Sequence, residues 1–141
     1  MKAYCDASFD DKKCIAGIGI TIIDGQKRRM YSSWIKAKTI NEAELFAIHL
    51  AGILISGNGE IYSDSQTAIS YVKGEIKPKV RSPEQYINHK RCEFWAYQIR
   101  NRGIIPEKIK AHENIFQVHS IGNRMADLLA REGRAKFYDR Q

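Results

Sequence analysis

"IAGIGITIIDGQKRRMYSSWIKAKTINEAELFAIHLAGIL", residues 15–54, changes periodicity once, and that change points to the fold class. Residues 15–24 are rich in β-branched side chains and close on Asp24-Gly25, a pair suited to the backbone of a tight hairpin turn. "RRMYSSWIKA" then reads as the returning strand, antiparallel to the first. From Asn41 the apolar residues Ala43, Phe46, Ala47, Leu50, Ala51 and Leu54 recur at helical spacing. Thr39 or Asn41 can cap that helix, and the glycine-rich "SGNG" stops it.

Working outward, residues 2–9 read as a strand before the hairpin. Downstream, "EIYSD" is a short fourth strand, and "SQTAISYVK" begins a helix with Ser65 as its candidate cap. Pro78 and Pro83 fence a basic loop, a longer helix follows from about Pro83 to Arg102, and "EKIKAH" supplies a fifth strand. The last helix is expected to begin near Gly122. The predicted fold is α/β: a mixed five-stranded sheet, three antiparallel strands then two parallel, flanked by helices. A right-handed crossover makes "AYCD" and "IYSD" parallel neighbours. Both strands end in an acid, Asp6 and Asp64, and sites in open α/β sheets form outside the carboxyl ends of adjacent parallel strands.

A chain of 141 residues suits one domain and can bury about two-thirds of its unfolded surface. Repeats, low-complexity tracts and interdomain linkers are absent from the sequence. "MKAYCDASF" lacks the apolar core of a signal peptide, and "CIAGIGITII" is too short to span a bilayer, so no membrane partner is expected. Cys5, Cys14 and Cys92 form neither an even set nor a C-x-x-C pair, which argues against a disulfide framework or structural zinc and favours a reducing cytoplasm. The net charge of +7 gathers at Lys27-Arg28-Arg29, Lys73 to Arg81, His89-Lys90-Arg91 and Lys108-Lys110. Such clusters suit a polyanion, because neutralising phosphates releases condensed counterions.

"SIGNRMADLLAREG", residues 120–133, sets Asp127 among apolar Met125, Ala126, Leu128, Leu129 and Ala130. Two readings stand: a solvated charge paired with Arg131 one turn on, or a carboxylate carried to a site. Glu44 lies one turn into the crossover helix, and Asp127 is expected one turn into the last. With Asp6 and Asp64 these make four acids at the sheet crevice, where like charges repel unless a divalent cation intervenes. A site built only of carboxylates favours Mg²⁺ or Mn²⁺ over zinc.

Four motifs in order resemble those of the ribonuclease H family, type 1. "YCDAS" is similar to its first-strand D-G-S, with Ala7 in place of glycine, and "TINEAEL" to its T-N-N-x-x-E-L. "YSDSQTAI" is similar to T-D-S-Q, and "IGNRMADLLAREG" to the closing I-G-N-E-x-A-D-x-L-A-R-E-G, the most specific of the four. The resemblance covers about residues 2–135 and implies a metal-dependent endonuclease that cuts the RNA strand of RNA–DNA hybrids, leaving 3′-hydroxyl and 5′-phosphate ends. It implies a single ribonuclease H-like catalytic domain over 1–141, expected to act as a monomer. Asp6, Glu44, Asp64 and Asp127 would be catalytic and hold two Mg²⁺ ions, with Mn²⁺ as substitute. Thr39 would contact a DNA-strand phosphate, Asn41 and Gln66 the minor groove, and Asn123 would be a substrate-binding residue or a plain N-cap.

The chain departs from the pattern in three places. "FDDKKCIAG" replaces the glycine-rich turn after the first Asp, with Asp10 and Asp11 expected to face solvent. The basic handle is shortened to Lys73–Arg81 and His89–Arg91, expected to touch the substrate backbone. The family's mobile catalytic histidine falls on His112, at the end of "IKAH", or on His119, which is nearer Asp127 in sequence; His112 is preferred for its strand anchor. Among other users of the fold, the proofreading exonucleases need an acid two residues after the first, where this chain has Ser8. A catalytically silent hybrid-binding module would gain affinity by losing the four carboxylates.

Overall fold

Gly25 takes φ +62° at the predicted turn, and the two strands it joins pair in register from Asp24↔Lys27 to Ile15↔Lys36. In the computed structural model, which describes residues 1–109 and 118–140, these are β2 (Ile15–Asp24) and β3 (Lys27–Lys36), preceded by β1 (Lys2–Asp10). Then follow α1 (Ile40–Leu54), β4 (Glu60–Ser63), α2 (Gln66–Val72), α3 (Pro83–Asn101), β5 (Glu107–Lys108) and α4 (Val118–Asp139). The sheet order is β3-β2-β1-β4-β5. β1, β2 and β3 are antiparallel, whereas β4 is parallel to β1 and to β5, as the predicted crossover requires.

Hydroxyl caps start three helices. Thr39 Oγ1 accepts the Glu42 amide at 3.2 Å, deciding between Thr39 and Asn41, and Ser65 Oγ and Ser82 Oγ each accept an amide at 3.1 Å. Each such cap contributes about 1 kcal/mol. One face of the sheet packs Ile18, Ile20 and Ile22 against Leu45 and Ile48 of α1 and Ile99 of α3. All six are essentially inaccessible, and full burial of such a side chain contributes about 1.5–3 kcal/mol.

The opposite face is covered by α4 at very close range. A Cβ on Gly19 would lie 2.1 Å from the Ala126 carbonyl oxygen, and one on Gly122 would lie 2.3 Å from the Tyr4 ring. Gly19 is also the cross-strand partner of Asp6. A missing side chain on β2 thus draws the residue before Asp127 onto the strand beside Asp6.

Three expectations need correction. Asp6 does not end its strand: β1 continues to Asp10 because β2 pairs with it throughout, although the parallel pairing with β4 ends at Tyr4↔Tyr62. Among the described residues the fifth strand is Glu107–Lys108, with Ile109 N–H adding a 3.0 Å bond to the Ser63 carbonyl; the rest of the expected strand, residues 110–112, lies outside the described residues. The last helix starts at Val118, not near Gly122, whose missing side chain makes room for Tyr4 inside the helix. Asp127 is therefore more than two turns in, and Asn123 is an interior helical residue, not an N-cap. Among the described residues no helix is long and apolar enough to cross a membrane.

Candidate active site

Extending the Tyr4↔Tyr62 register by two residues sets Asp6 level with Asp64, just beyond the end of β4. Glu44, in the second turn of α1, reaches the same point from the crossover helix. Asp6, Glu44 and Asp64 each offer a carboxylate oxygen within 4.8 Å of the others. Asp6 and Glu44 are buried at 7% and 6% exposure, while Asp64 is open to solvent.

The electrostatics follow from that crowding. Burial, then the facing Asp64 charge, push the Asp6 carboxyl up to about 7, although the Ala7 amide donates to its Oδ1 at 2.9 Å. Burial, then the charges of Asp6 and Asp64, push Glu44 up to about 10. The contact between the two side chains raises Glu44 further and lowers Asp6. Burial, then Glu44, also raise the neighbouring Cys5 thiol well above its ordinary value. Glu44 Oε2 is buried with no hydrogen-bond partner among the described residues. A buried carboxylate oxygen without a donor is costly, and an oxygen-only set suits a hard divalent cation. The residues present fit such an ion.

Asp127 stands at the margin. It raises Asp6 through its charge, yet lies outside the three-acid set, and its Oδ2 sits 3.4 Å from Arg131 Nη2. Both readings of the motif are thus present in the molecule. Thr39 caps α1, Asn41 lies in its first turn, and Gln66 opens α2 with its amide donating to Ser70 Oγ at 3.1 Å. Asn123 is half-buried, its Oδ1 without a partner among the described residues. His119 lies in the first turn of α4, its Nδ1 bonded to the Tyr4 hydroxyl at 2.7 Å and its ring 4.4 Å from that of Tyr62. His112 lies outside the described residues.

The His89–Arg91 cluster lies on α3, as the predicted helix placed it. His89 is buried, bonded to the Tyr71 hydroxyl at 3.0 Å and to Glu93, while Arg91 pairs with Glu42. Lys90 remains exposed above the Tyr86 ring, and Lys73, Lys77, Lys79 and Arg81 are exposed in the loop before α3. Sequence reasoning missed the Glu42–Arg91 pair. Its only signal was Glu42 three residues after the Thr39 cap, the spacing of a capping box.

A five-stranded mixed sheet with converging carboxylates at the end of its parallel pair defines a nuclease-type acidic site. The family profile described as RNase H matches residues 1–135, and the chain belongs to the ribonuclease H family, a family of ribonucleases. No curated protein sequence matches significantly. Among solved structures the chain is similar to RNase H1 from the halophilic archaeon Halobacterium salinarum NRC-1, with 20% identity and TM-score 0.61 over 96% of this chain and 97% of that one. It is similar to LC11-RNase H1 in complex with RNA/DNA hybrid, with 19% identity and TM-score 0.62 over 97% and 98%. The N-terminal RNase H domain of Rv2228c from Mycobacterium tuberculosis, fused to maltose-binding protein, shows 18% identity and TM-score 0.61 over 98% and 96%. At these identities the likeness is one of fold.

Proposed function

We propose that the protein is a metal-dependent endonuclease that hydrolyses the RNA strand of RNA–DNA hybrids, leaving 3′-hydroxyl and 5′-phosphate ends. The observation that carries this reading is the convergence of Asp6, Glu44 and Asp64 around the unpartnered Glu44 Oε2. Family membership supports the RNA strand as the one cut, and one fold neighbour was solved with an RNA/DNA hybrid.

Asp6, Glu44, Asp64 and Asp127 would hold two Mg²⁺ ions, or Mn²⁺ in their place, Asp127 turning from Arg131 to do so. When bound, the ions supply charge neutralisation and water activation for an in-line phosphodiester displacement. Thr39 takes a DNA-strand phosphate, and Asn41 and Gln66 meet the minor groove, whose width and 2′-hydroxyls separate RNA from DNA. Asn123 completes the substrate contacts. His112 assists proton transfer, as a neutral imidazole near its ordinary pKa can do at neutral pH. His119, engaged by Tyr4, is the weaker candidate.

The chain works as one catalytic domain and as a monomer. Its three cysteines, all free, suit a reducing cytoplasm. An end-labelled hybrid incubated with Mg²⁺ and, separately, Mn²⁺ tests the reading. Cleavage of the RNA strand to 3′-hydroxyl products is expected, and binding without cleavage in both metals overturns it.

A further inference from the structure

Glu42 is the least exposed of the described acids, at 4%, and both of its carboxylate oxygens are engaged. Oε1 accepts the Arg91 Nε–H and the Lys38 amide, each at 2.9 Å, and Oε2 lies 2.8 Å from Arg91 Nη2. The arrangement is a forked guanidinium–carboxylate pair between residues 49 positions apart, and such forks hold orientation as well as charge. The segment it grips is short. Lys38 is held through its amide, Thr39 caps the Glu42 amide at 3.2 Å, and Ala43 N–H returns to the Thr39 carbonyl at 3.3 Å. The Thr39 side chain lowers the pKa of the Cys92 thiol, next to Arg91 on α3, against the rise from burial. Thr39 and Asn41 therefore sit in a turn fastened from α3, and Glu44 follows three residues after Asn41 on the same helix.

We propose that the Glu42–Arg91 pair is a positioning device for substrate, holding the Thr39–Asn41 turn in register with the carboxylates so that hybrid affinity depends on it. The inference rests on Thr39 and Asn41 being hybrid contacts. The pair is not needed to keep the helix start: the Thr39 cap and the α1 burial already do that, and an ion pair whose Arg91 end is open to solvent contributes little to stability. What a fork adds is a fixed distance and angle between α3 and the α1 start, which matters when a ligand must meet both the turn and Glu44.

Arg91→Ala, Arg91→Lys, Thr39→Ala and the double variant Arg91→Ala/Thr39→Ala are compared with the parent protein. Hybrid affinity is read by fluorescence anisotropy in EDTA, KM and kcat by cleavage in Mg²⁺, and folding by circular dichroism. Arg91→Ala is expected to weaken binding and raise KM by about tenfold with kcat nearly unchanged, because displacing a contact by a fraction of an ångström costs affinity before chemistry. Arg91→Lys, which keeps the charge and loses the fork, is expected to fall between. Thr39→Ala is expected to weaken binding in the parent and to add little once Arg91 is gone. If Thr39→Ala leaves binding unchanged in the parent, the hybrid-contact reading of the turn fails. If Thr39→Ala weakens binding but folded Arg91→Ala does not, or if Arg91→Ala lowers kcat and leaves KM alone, the positioning role is overturned.

Discussion

Asp6 is buried beside two other carboxylates, and its aspartate form is tolerated only where something neutralises it. Asp6→Asn is expected to abolish cleavage while keeping or raising the melting temperature in EDTA, because it removes a charge that Glu44 and Asp64 repel. Full residual activity would place the metal site elsewhere. The same crowding sets a pH dependence. Asp6 moves from an ordinary value of 3.8 up to about 7, and Glu44 moves up from 4.5 as well. In the folded metal-free protein both bind protons more tightly than in the unfolded chain, so their stabilising contribution is complete below about pH 4; that of Asp6 is lost as pH rises through about 7 and that of Glu44 as it rises through about 10. Each pH unit in that window costs about 1.4 kcal/mol per group. Melting temperature in EDTA should therefore fall between about pH 5 and pH 8, Mg²⁺ should restore it at the upper end, and Asp6→Asn should flatten the profile. A flat profile in the parent protein would contradict the buried acidic pair. Histidine is tested at the same scale: His112→Ala should lower the single-turnover rate by about tenfold or more. His119→Ala should mainly lower stability, through its Tyr4 bond and Tyr62 contact, and a larger rate loss there would reverse the assignment.

At the scale of elements, the position of α4 depends on glycine. Gly19 lets the Ala126 backbone approach the sheet opposite Asp6, so Gly19→Ala must push helix and strand apart. The expected cost is about 1–3 kcal/mol in urea unfolding, as for other overpacked sites, with weaker Mg²⁺ binding by calorimetry as Asp127 withdraws. Unchanged stability would show that α4 can shift freely. The strands and helices themselves were largely legible in the sequence. The β2–β3 hairpin was announced by Asp24-Gly25, and the caps Ser65 and Thr39 by residue type. Their boundaries were less legible, because strand length depends on what a neighbour offers. β1 overran Asp6 because β2 pairs with it to Asp10. Gly122 read as a helix start, yet its meaning lies in a contact with Tyr4, 118 positions away.

At the scale of the whole molecule, the basic residues behind the charge of +7 fall in separate clusters. Lys27, Arg28 and Arg29 lie level with the start of β1, away from the carboxylates, whereas Lys77 and Lys79 are exposed in the loop between α2 and α3. Lys77→Ala and Lys79→Ala should each lower the log–log salt slope of hybrid binding by about 1, the signature of one lost phosphate contact. Arg28→Ala should leave it unchanged, and an equal effect at Arg28 would move the nucleic-acid path to the hairpin end.

The sequence by itself determined the α/β class, the order of strands and helices and the family, and nominated the four acids, because periodicity, turn chemistry and motif spacing are local properties. Only the tertiary structure decided that Asp6 lies mid-strand, that Asp127 sits beside the three-acid set and paired with Arg131, and that His89 and Arg91 have partners within the fold. It alone joined Glu42 to Arg91. A charge pair spanning 49 residues leaves no periodic trace; it exists because two helices pack side by side, and packing partners are set by shape and burial across the whole chain.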